Sequence, residues 1–310
     1  MPYNTPVSAL SVIIPTRKRP HILAQCLKHL ARQTIADKIE VIVIHDGEDD
    51  AETREALKAI SHKLKAISFA AIPKSQQGVA RNRGVDLAKA PVVLFIGDDI
   101  LLEPGACEVH LRMHRQLAID NRLSSGQLLK ANCQKPIAIL GFVTWDPSVG
   151  ITPVMCWLEK SGWQFGYPKI EKYAHECIPP AIQHRFSYAN NMSLPTDIAK
   201  QIRFREDVSL YGWEDIEWGL RLREAGVSLF YEPDAKALHH HRITLRDSLS
   251  RMEILGQSLP KISWINPRFD RVPRGWKLLA YHILSGVPSM RGMHYRAFLK
   301  GKHDTEKGIL

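Results

Sequence analysis

An α/β fold built on a mainly parallel central sheet flanked by helices is what this sequence predicts, and three observations carry that prediction. Continuous apolar, β-branched runs recur through the first hundred residues. Segments with helical spacing separate them across short links. Polar residues collect just past the carboxyl end of each run. Strand and helix alternating in this way build a sheet wound with right-handed crossovers.

Each element has its own signal. LSVIIP (Leu10–Pro15) reads as a buried parallel strand, because both of its faces are apolar. In 21–33, Ile22, Leu23, Cys26, Leu27 and Leu30 share one helical face. IEVIVIHD (Ile39–Asp46) is a second buried strand, and EDDAETREALKAI a helix with acids in its first turn. AISFAAI (Ala66–Ile72), QGVARNRGVDLAK and PVVLFIGDD (Pro91–Asp99) continue as strand, helix and strand. Residues 126–185 mix Pro, Gly and aromatics, including Trp145, Trp157, Trp163, Phe165, Tyr167 and Tyr173, and read as short strands and loops with a strand at Ile137–Thr144. FSYANNMSL is a strand leading into a short helix from Pro195. GWEDIEWGLRLREAG is a helix with Trp213, Ile216 and Leu220 on one stripe and Gly226 at its C-terminal stop. VSLFYEP and AKALHHH read as two strands, and 242–257 and 275–286 as helices separated by PRFDRVPRG. The expected division is 1–241 for the main domain, split near 125 into 1–125 and 126–241, and 242–310 for a basic helical extension.

Composition narrows the class. With 45% apolar and 24% charged residues, the chain of 310 falls in the globular range. Its net charge of +10 is concentrated in 242–310, which hold thirteen Lys/Arg against five Asp/Glu. Such a balance attracts anionic partners, an anionic membrane surface or an anionic acceptor among them, or it is a solvated face; no nucleic acid is expected. The five cysteines are scattered without a C-x-x-C pair, so neither a disulfide framework nor a zinc ribbon is expected, and a reducing compartment is the simpler reading. The start lacks a signal-peptide pattern and no apolar run is long enough to span a bilayer. The expectation is a cytoplasmic protein, at most peripheral to the inner face of a membrane.

Ligands of open α/β sheets bind beyond the carboxyl ends of the strands. Here those ends carry Thr16, Arg17 and Arg19, then Asp46, then Asp98 and Asp99, so one edge gathers three carboxylates and a basic loop. Acids beside one another repel unless a cation joins them. As rival readings, Asp46, Asp98 and Asp99 also suit turns, and Glu214 and Asp215 also suit the first turn of a helix.

In order, SVIIPTRKR, EVIVIHDG, QGVARNRG, VVLFIGDD, YGWEDIEWGLRLREAG and ALHHH resemble the motifs of glycosyltransferase family 2, from about Leu10 to His241. The resemblance implies a GT-A fold, a Rossmann-like nucleotide-diphospho-sugar transferase domain, here with a C-terminal helical extension. It implies an inverting transfer by single displacement from a nucleotide-sugar, a UDP-sugar or dTDP-sugar, to a hydroxyl of a saccharide or lipid-linked saccharide. Pro15, Thr16, Arg17 and Arg19 would frame the nucleotide, Asp46 would accept from the base, and Arg81 and Asp98 would lie near the donor. Asp99, with His239 or His241, would ligate a divalent cation, Mn or Mg, held by the diphosphate. Asp215 would be the catalytic base, with Glu214 and Trp213 beside it in support. Apart from the resemblance, Asn191 and the aromatics of 145–173 either meet the acceptor or, the better-weighted reading, pack the core. Gly97 stands where the family has the first acid of its D-x-D motif, and His45 where it often has an acid before Asp46. The rival readings are a non-catalytic nucleotide-sugar or glycan-binding module and, less well matched, a sugar-nucleotide nucleotidyltransferase, whose glycine-rich first loop PTRKRP lacks.

Overall fold

The computed structural model describes residues 8–64, 66–120, 133, 136–207, 211–267 and 269–308. The first half runs β1 (Leu10–Thr16), α1 (Pro20–Leu30), β2 (Ile39–Asp46), α2 (Ala51–Ile60), β3 (Ile67–Ile72), α3 (Gln77–Leu87), β4 (Val92–Ile96), β5 (Ile100–Leu102) and α4 (Ala106–Asp120). Then come β6 (Ile137–Trp145), α5 (Pro153–Ser161), β7 (Glu176–Cys177), α6 (Pro180–Gln183), β8 (Asn191–Pro195), α7 (Thr196–Gln201), α8 (Glu214–Glu224) and β9 (Ser228–His239). The chain closes with α9 (Leu245–Ile265), α10 (Trp276–Ser285) and α11 (Met290–Gly308). The expected boundary near 125 lies outside the described residues.

The strands form one sheet in the order β3-β2-β1-β4-β8-β6-β9-β5, with β7 also on β9. The first four pair in parallel, whereas β8 runs antiparallel to both β4 and β6. Every residue of β1, β2 and β4 is buried, as their unbroken apolar runs require. Helix α3 lies close on this sheet because Gly84 faces Ile13, where a Cβ would collide with the isoleucine side chain. The same helix buries Arg81 and sets Gln77 at its first turn.

Several expectations are corrected. The Asp-Asp pair does not end β4; it forms the turn joining β4 to β5. The two strands expected in 227–241 are one twelve-residue strand, whose register on β6 shifts beside Gly141 and Phe142, so Pro233 and Asp234 bend it without ending it. Within 126–185 there is a helix, α5, opened by the Thr152 cap and Pro153 and stopped by left-handed Gly162. Helix α9 is longer than expected and α11 was not expected. A disulfide joins Cys133 to Cys177, a pairing hidden from the sequence by a separation of 44 residues.

The carboxy-terminal helices are packed, not a loose tail. Trp213, Ile216 and Leu220 share an apolar cluster with Leu259, Ile262, Phe269 and Phe298. Helices α9 and α11 approach so closely that a Cβ on Gly256 would strike the backbone of Phe298, and one on Gly301 that of Glu253. Gly301→Ala is therefore expected to lower stability by roughly 1–3 kcal/mol through overpacking, in denaturant unfolding. Gly105→Ala, where nothing lies within 4 Å, serves as the mild control; equal losses would refute the close-packed crossing.

Candidate functional site

The parallel strands β1, β2 and β4 end on one edge, and their following loops converge there. A cleft of about 220 Å³ opens on it, lined by Pro15 and Thr16 at the end of β1, Arg17 and Arg19 just past it, Asp46 ending β2, and Ser75–Gln77 after β3. Tyr211 and Glu214, at the entry to α8, close the other wall. The sequence reading of Pro15, Thr16, Arg17, Arg19 and Asp46 as neighbours is thus met by geometry. Ser75, Gln76, Gln77 and Tyr211 were missed there, although the carboxyl end of β3 was a signal available for the first three.

At one end of the cleft, Asp46 Oδ1 accepts from the Ser75 amide at 2.6 Å and from its hydroxyl at 3.2 Å. The β3–α3 loop is thereby tied to β2. At the other end, Arg19 bridges Asp98 and Asp99, donating to Asp99 Oδ2 at 3.1 Å. Asp98 is fully buried and accepts from Thr16 Oγ1 at 2.7 Å. Burial pushes the Asp98 carboxyl up to about 6, against the opposing charge of Arg19. Asp98 thus braces the turn from beneath.

Asp99 turns toward β9. Its Oδ2 lies 3.5 Å from both His239 Nε2 and His241 Nδ1. Burial raises its pKa, but hydrogen bonds from the two histidines and the charges of His239 and Arg19 prevail and hold it well below the usual range. The ring of His239 stacks on Trp145, and His240 points the other way to Asp146 at 2.6 Å. His239 and His241 thus face Asp99, while His240 turns away from it. One ligand atom from each of Asp99, His239 and His241 falls within 4.8 Å of the others. A carboxylate oxygen with two imidazole nitrogens is a donor set that suits Mn well and Mg less well. Gly97 gives this turn its room, since a Cβ there would sit 2.7 Å from Asp99 Oδ1.

The acids of α8 divide. Asp215 accepts from Arg81 at 3.2 Å through Oδ1 and from the Ala189 amide at 3.1 Å through Oδ2. Burial raises its pKa and Arg81 opposes the rise. Glu214 lines the cleft, and its Oε2 is buried without a hydrogen-bond partner among the described residues. Burial, and then the neighbouring charge of Asp215, push its carboxyl up to about 7. Arg81, expected near the donor, is buried and also donates to Gln77 and to the Ala189 carbonyl, so it ties α3 to α8. Asn191 is not at the cleft wall. It is fully buried, donating to the Phe142 and Ala235 carbonyls and contacting His110, and so joins three strands. Trp213 is likewise structural, with its indole N–H on the Leu255 carbonyl at 2.9 Å.

Residues 11–126 match the family model Glycosyl transferase family 2. That match bears out the family resemblance over little more than a third of the chain, the part that carries β1 to α4. A validoxylamine A glucosyltransferase of Streptomyces hygroscopicus is 28% identical over 230 residues, 72% of this chain and 53% of that protein. A PGL/p-HBAD biosynthesis glycosyltransferase of Mycobacterium tuberculosis is 38% identical over 96 residues, 30% of this chain and 36% of the other. The chain thus spans about half the length, or less, of these curated relatives. Among solved structures, a mannosyltransferase from Pyrobaculum calidifontis in complex with GDP-Man and Mn2+ superposes with a TM-score of 0.57 at 13% identity. It covers 99% of this chain and 90% of its own, so the likeness is one of fold, the GT-A fold.

Gly97→Ala would push the Asp99 carboxylate aside. It is expected to weaken Mn2+ binding by about tenfold or more, the scale of disturbed ligand orientation, in calorimetric titration of the protein. Unchanged affinity would detach the β4–β5 turn from cation binding.

Proposed function

We propose that this chain transfers a sugar from a nucleotide-sugar donor to a hydroxyl of an acceptor, with inversion at the anomeric carbon. One observation carries the reading: a single cleft joins Arg19, which holds Asp99, to Glu214, the neighbour of Asp215. Glycosyl transfer needs charge stabilisation at the departing diphosphate and a proton acceptor at the attacking hydroxyl. Those two demands fall on opposite walls of this cleft. The fold-likeness to a structure holding a sugar nucleotide supports the donor class. We take a UDP-sugar as the donor, because an aspartate at Asp46 suits the imide N–H of uracil; a dTDP-sugar offers the same imide.

Asp99, His239 and His241 would hold a divalent cation, Mn or Mg. Bound there, the cation would stabilise, as a Lewis acid, the negative charge gathering on the leaving diphosphate. The chain's own residues do the rest. Arg17 and Arg19 bring positive charge to the phosphate end of the cleft, while Asp46 and the β3–α3 loop orient the base. The acceptor is a saccharide or a lipid-linked saccharide, and the basic carboxy-terminal region meets an anionic membrane surface, with the work done on its cytoplasmic side.

For the proton acceptor, the family resemblance points to Asp215, whereas one observation favours Glu214. Both oxygens of Asp215 are engaged by Arg81 and Ala189, and Glu214 Oε2 is unpartnered at the cleft wall. A carboxylate with a pKa near the working pH is also the more effective base. Glu214 then accepts the proton, and Asp215 with Arg81 holds the start of α8.

Three outcomes are expected. Incubation with UDP-sugars and Mn should release UDP, and faster with acceptor; tight UDP binding without turnover under any acceptor would make the chain a binding module. The rate should rise as pH climbs through about 7, as Glu214 loses its proton. Glu214→Gln should cut turnover by roughly 10²–10⁴ and abolish that rise, while Asp215→Asn keeps it. The reverse pattern would return the base to Asp215. Asp99→Ala should weaken UDP affinity in Mn but hardly in chelator, as read by calorimetry. Equal loss in both would argue against cation ligation.

A further inference from the structure

Helix α10 turns an unusual face to solvent. Its inner side is held by Tyr281, whose ring lies 4.1 Å from that of Tyr295 and 6.0 Å from that of Phe298 on α11. No residue of α10 is fully buried. On the outer side Trp276, Leu279 and Ile283 are 75%, 61% and 65% exposed, and Val287 just past the helix is 44% exposed. At 100° per residue, Trp276, Leu279 and Ile283 fall within a single narrow stripe. Trp264, at the end of the neighbouring α9, is 86% exposed. Scattered exposed apolar residues mean little, but a contiguous stripe of this kind marks a partner surface.

The surrounding charge says which partner. From 271 to 303 the chain carries seven Lys/Arg and no Asp/Glu. Arg271, Arg274 and Lys277 at the entrance of α10, and Arg291 after it, are exposed. An apolar stripe with tryptophan at its end and cations on its flanks is the pattern of a helix lying in the plane of an anionic lipid interface. A protein partner would require acidic complementarity and a matched apolar groove; a bilayer of anionic phospholipid supplies both at once. None of the helices among the described residues is long and apolar enough to cross a membrane, so the contact is in-plane.

We propose that α10 inserts its Trp276–Leu279–Ile283 face into the surface of an anionic phospholipid bilayer, docking the cleft-bearing domain there. The proposal deepens the membrane contact named above from charge attraction to apolar insertion at a defined face, and it does not depend on which sugar is moved. Bound this way, the enzyme would meet acceptors whose lipid portion stays in the bilayer.

Co-sedimentation of the full chain with phosphatidylcholine vesicles, with and without phosphatidylglycerol, tests it. Binding is expected to the anionic vesicles and to persist in part at high salt, where charge attraction alone is screened. The triple variant Trp276→Ser, Leu279→Ser, Ile283→Ser should bind about tenfold or more weakly, from the apolar area lost. It should retain UDP binding, since these side chains are exposed and away from the cleft. Arg274→Gln with Lys277→Gln should weaken binding mainly at low salt. Undiminished vesicle binding by the triple variant would overturn insertion while leaving the electrostatic contact standing. No binding by the wild type would overturn both. A dimer in solution that the triple variant turns into a monomer would also overturn the proposal, because the stripe would then be covered by a second copy.

Discussion

Two adjacent carboxylates held out of water in the turn between β4 and β5 set the terms for everything around them. Asp98 and Asp99 are both largely buried, and each pays a desolvation penalty that the other's charge increases. The fold answers with cations and donors from two separate segments: Thr16 at the end of β1 with Arg19 in the loop after it, and His239 at the end of β9 with His241 just past it. Gly97 is part of the same solution, because any side chain there would crowd the Asp99 carboxylate. The glycine that breaks the familiar acid spacing is thus a steric consequence of how this turn seats its second acid.

A second buried charge cluster organises the opposite wall. Arg81 reaches from α3 to Asp215 on α8 and to the carbonyl of Ala189, with its ring-facing side 5.4 Å from Phe204. An arginine buried this deeply is tolerable only with its partner in place, so the two halves of the molecule are locked at the cleft. The lock also fixes where α8 begins. Glu214 is left at the wall with an unmatched oxygen, in surroundings that raise its carboxyl to about 7. A buried carboxyl with a raised pKa facing a basic loop across a cleft is the kind of pairing that functional sites hold.

The carboxy-terminal helices serve this arrangement from behind. Trp213, immediately before Glu214, is clamped by the Leu255 carbonyl and by the cluster around Phe269 and Phe298. Whatever moves α9 and α11 therefore bears on the start of α8. The same helical layer is lopsided: tight glycine-mediated contact between α9 and α11 on one side, and the exposed stripe of α10 on the other.

Local pattern alone determined the Rossmann-like half. Strands β1, β2 and β3 stand within a residue of where the apolar runs put them, and helices α1 to α3 within three of where helical spacing put them, because buried parallel strands must be apolar throughout. The sequence also named the polar residues at the strand ends, since chain direction alone places them on one edge. What it could not decide were the pairings across long separations. The antiparallel insertion of β8 between β4 and β6, the single bent strand β9, the Cys133–Cys177 bridge and the packing of α9 to α11 on Trp213 all depend on contacts between distant segments. The same reason divides the site residues. Motif order picked out Asp215 and Arg81, but only three-dimensional packing decides which acid faces the cleft and which is spent holding the fold, because burial and partners, not residue type, set what a carboxylate is free to do.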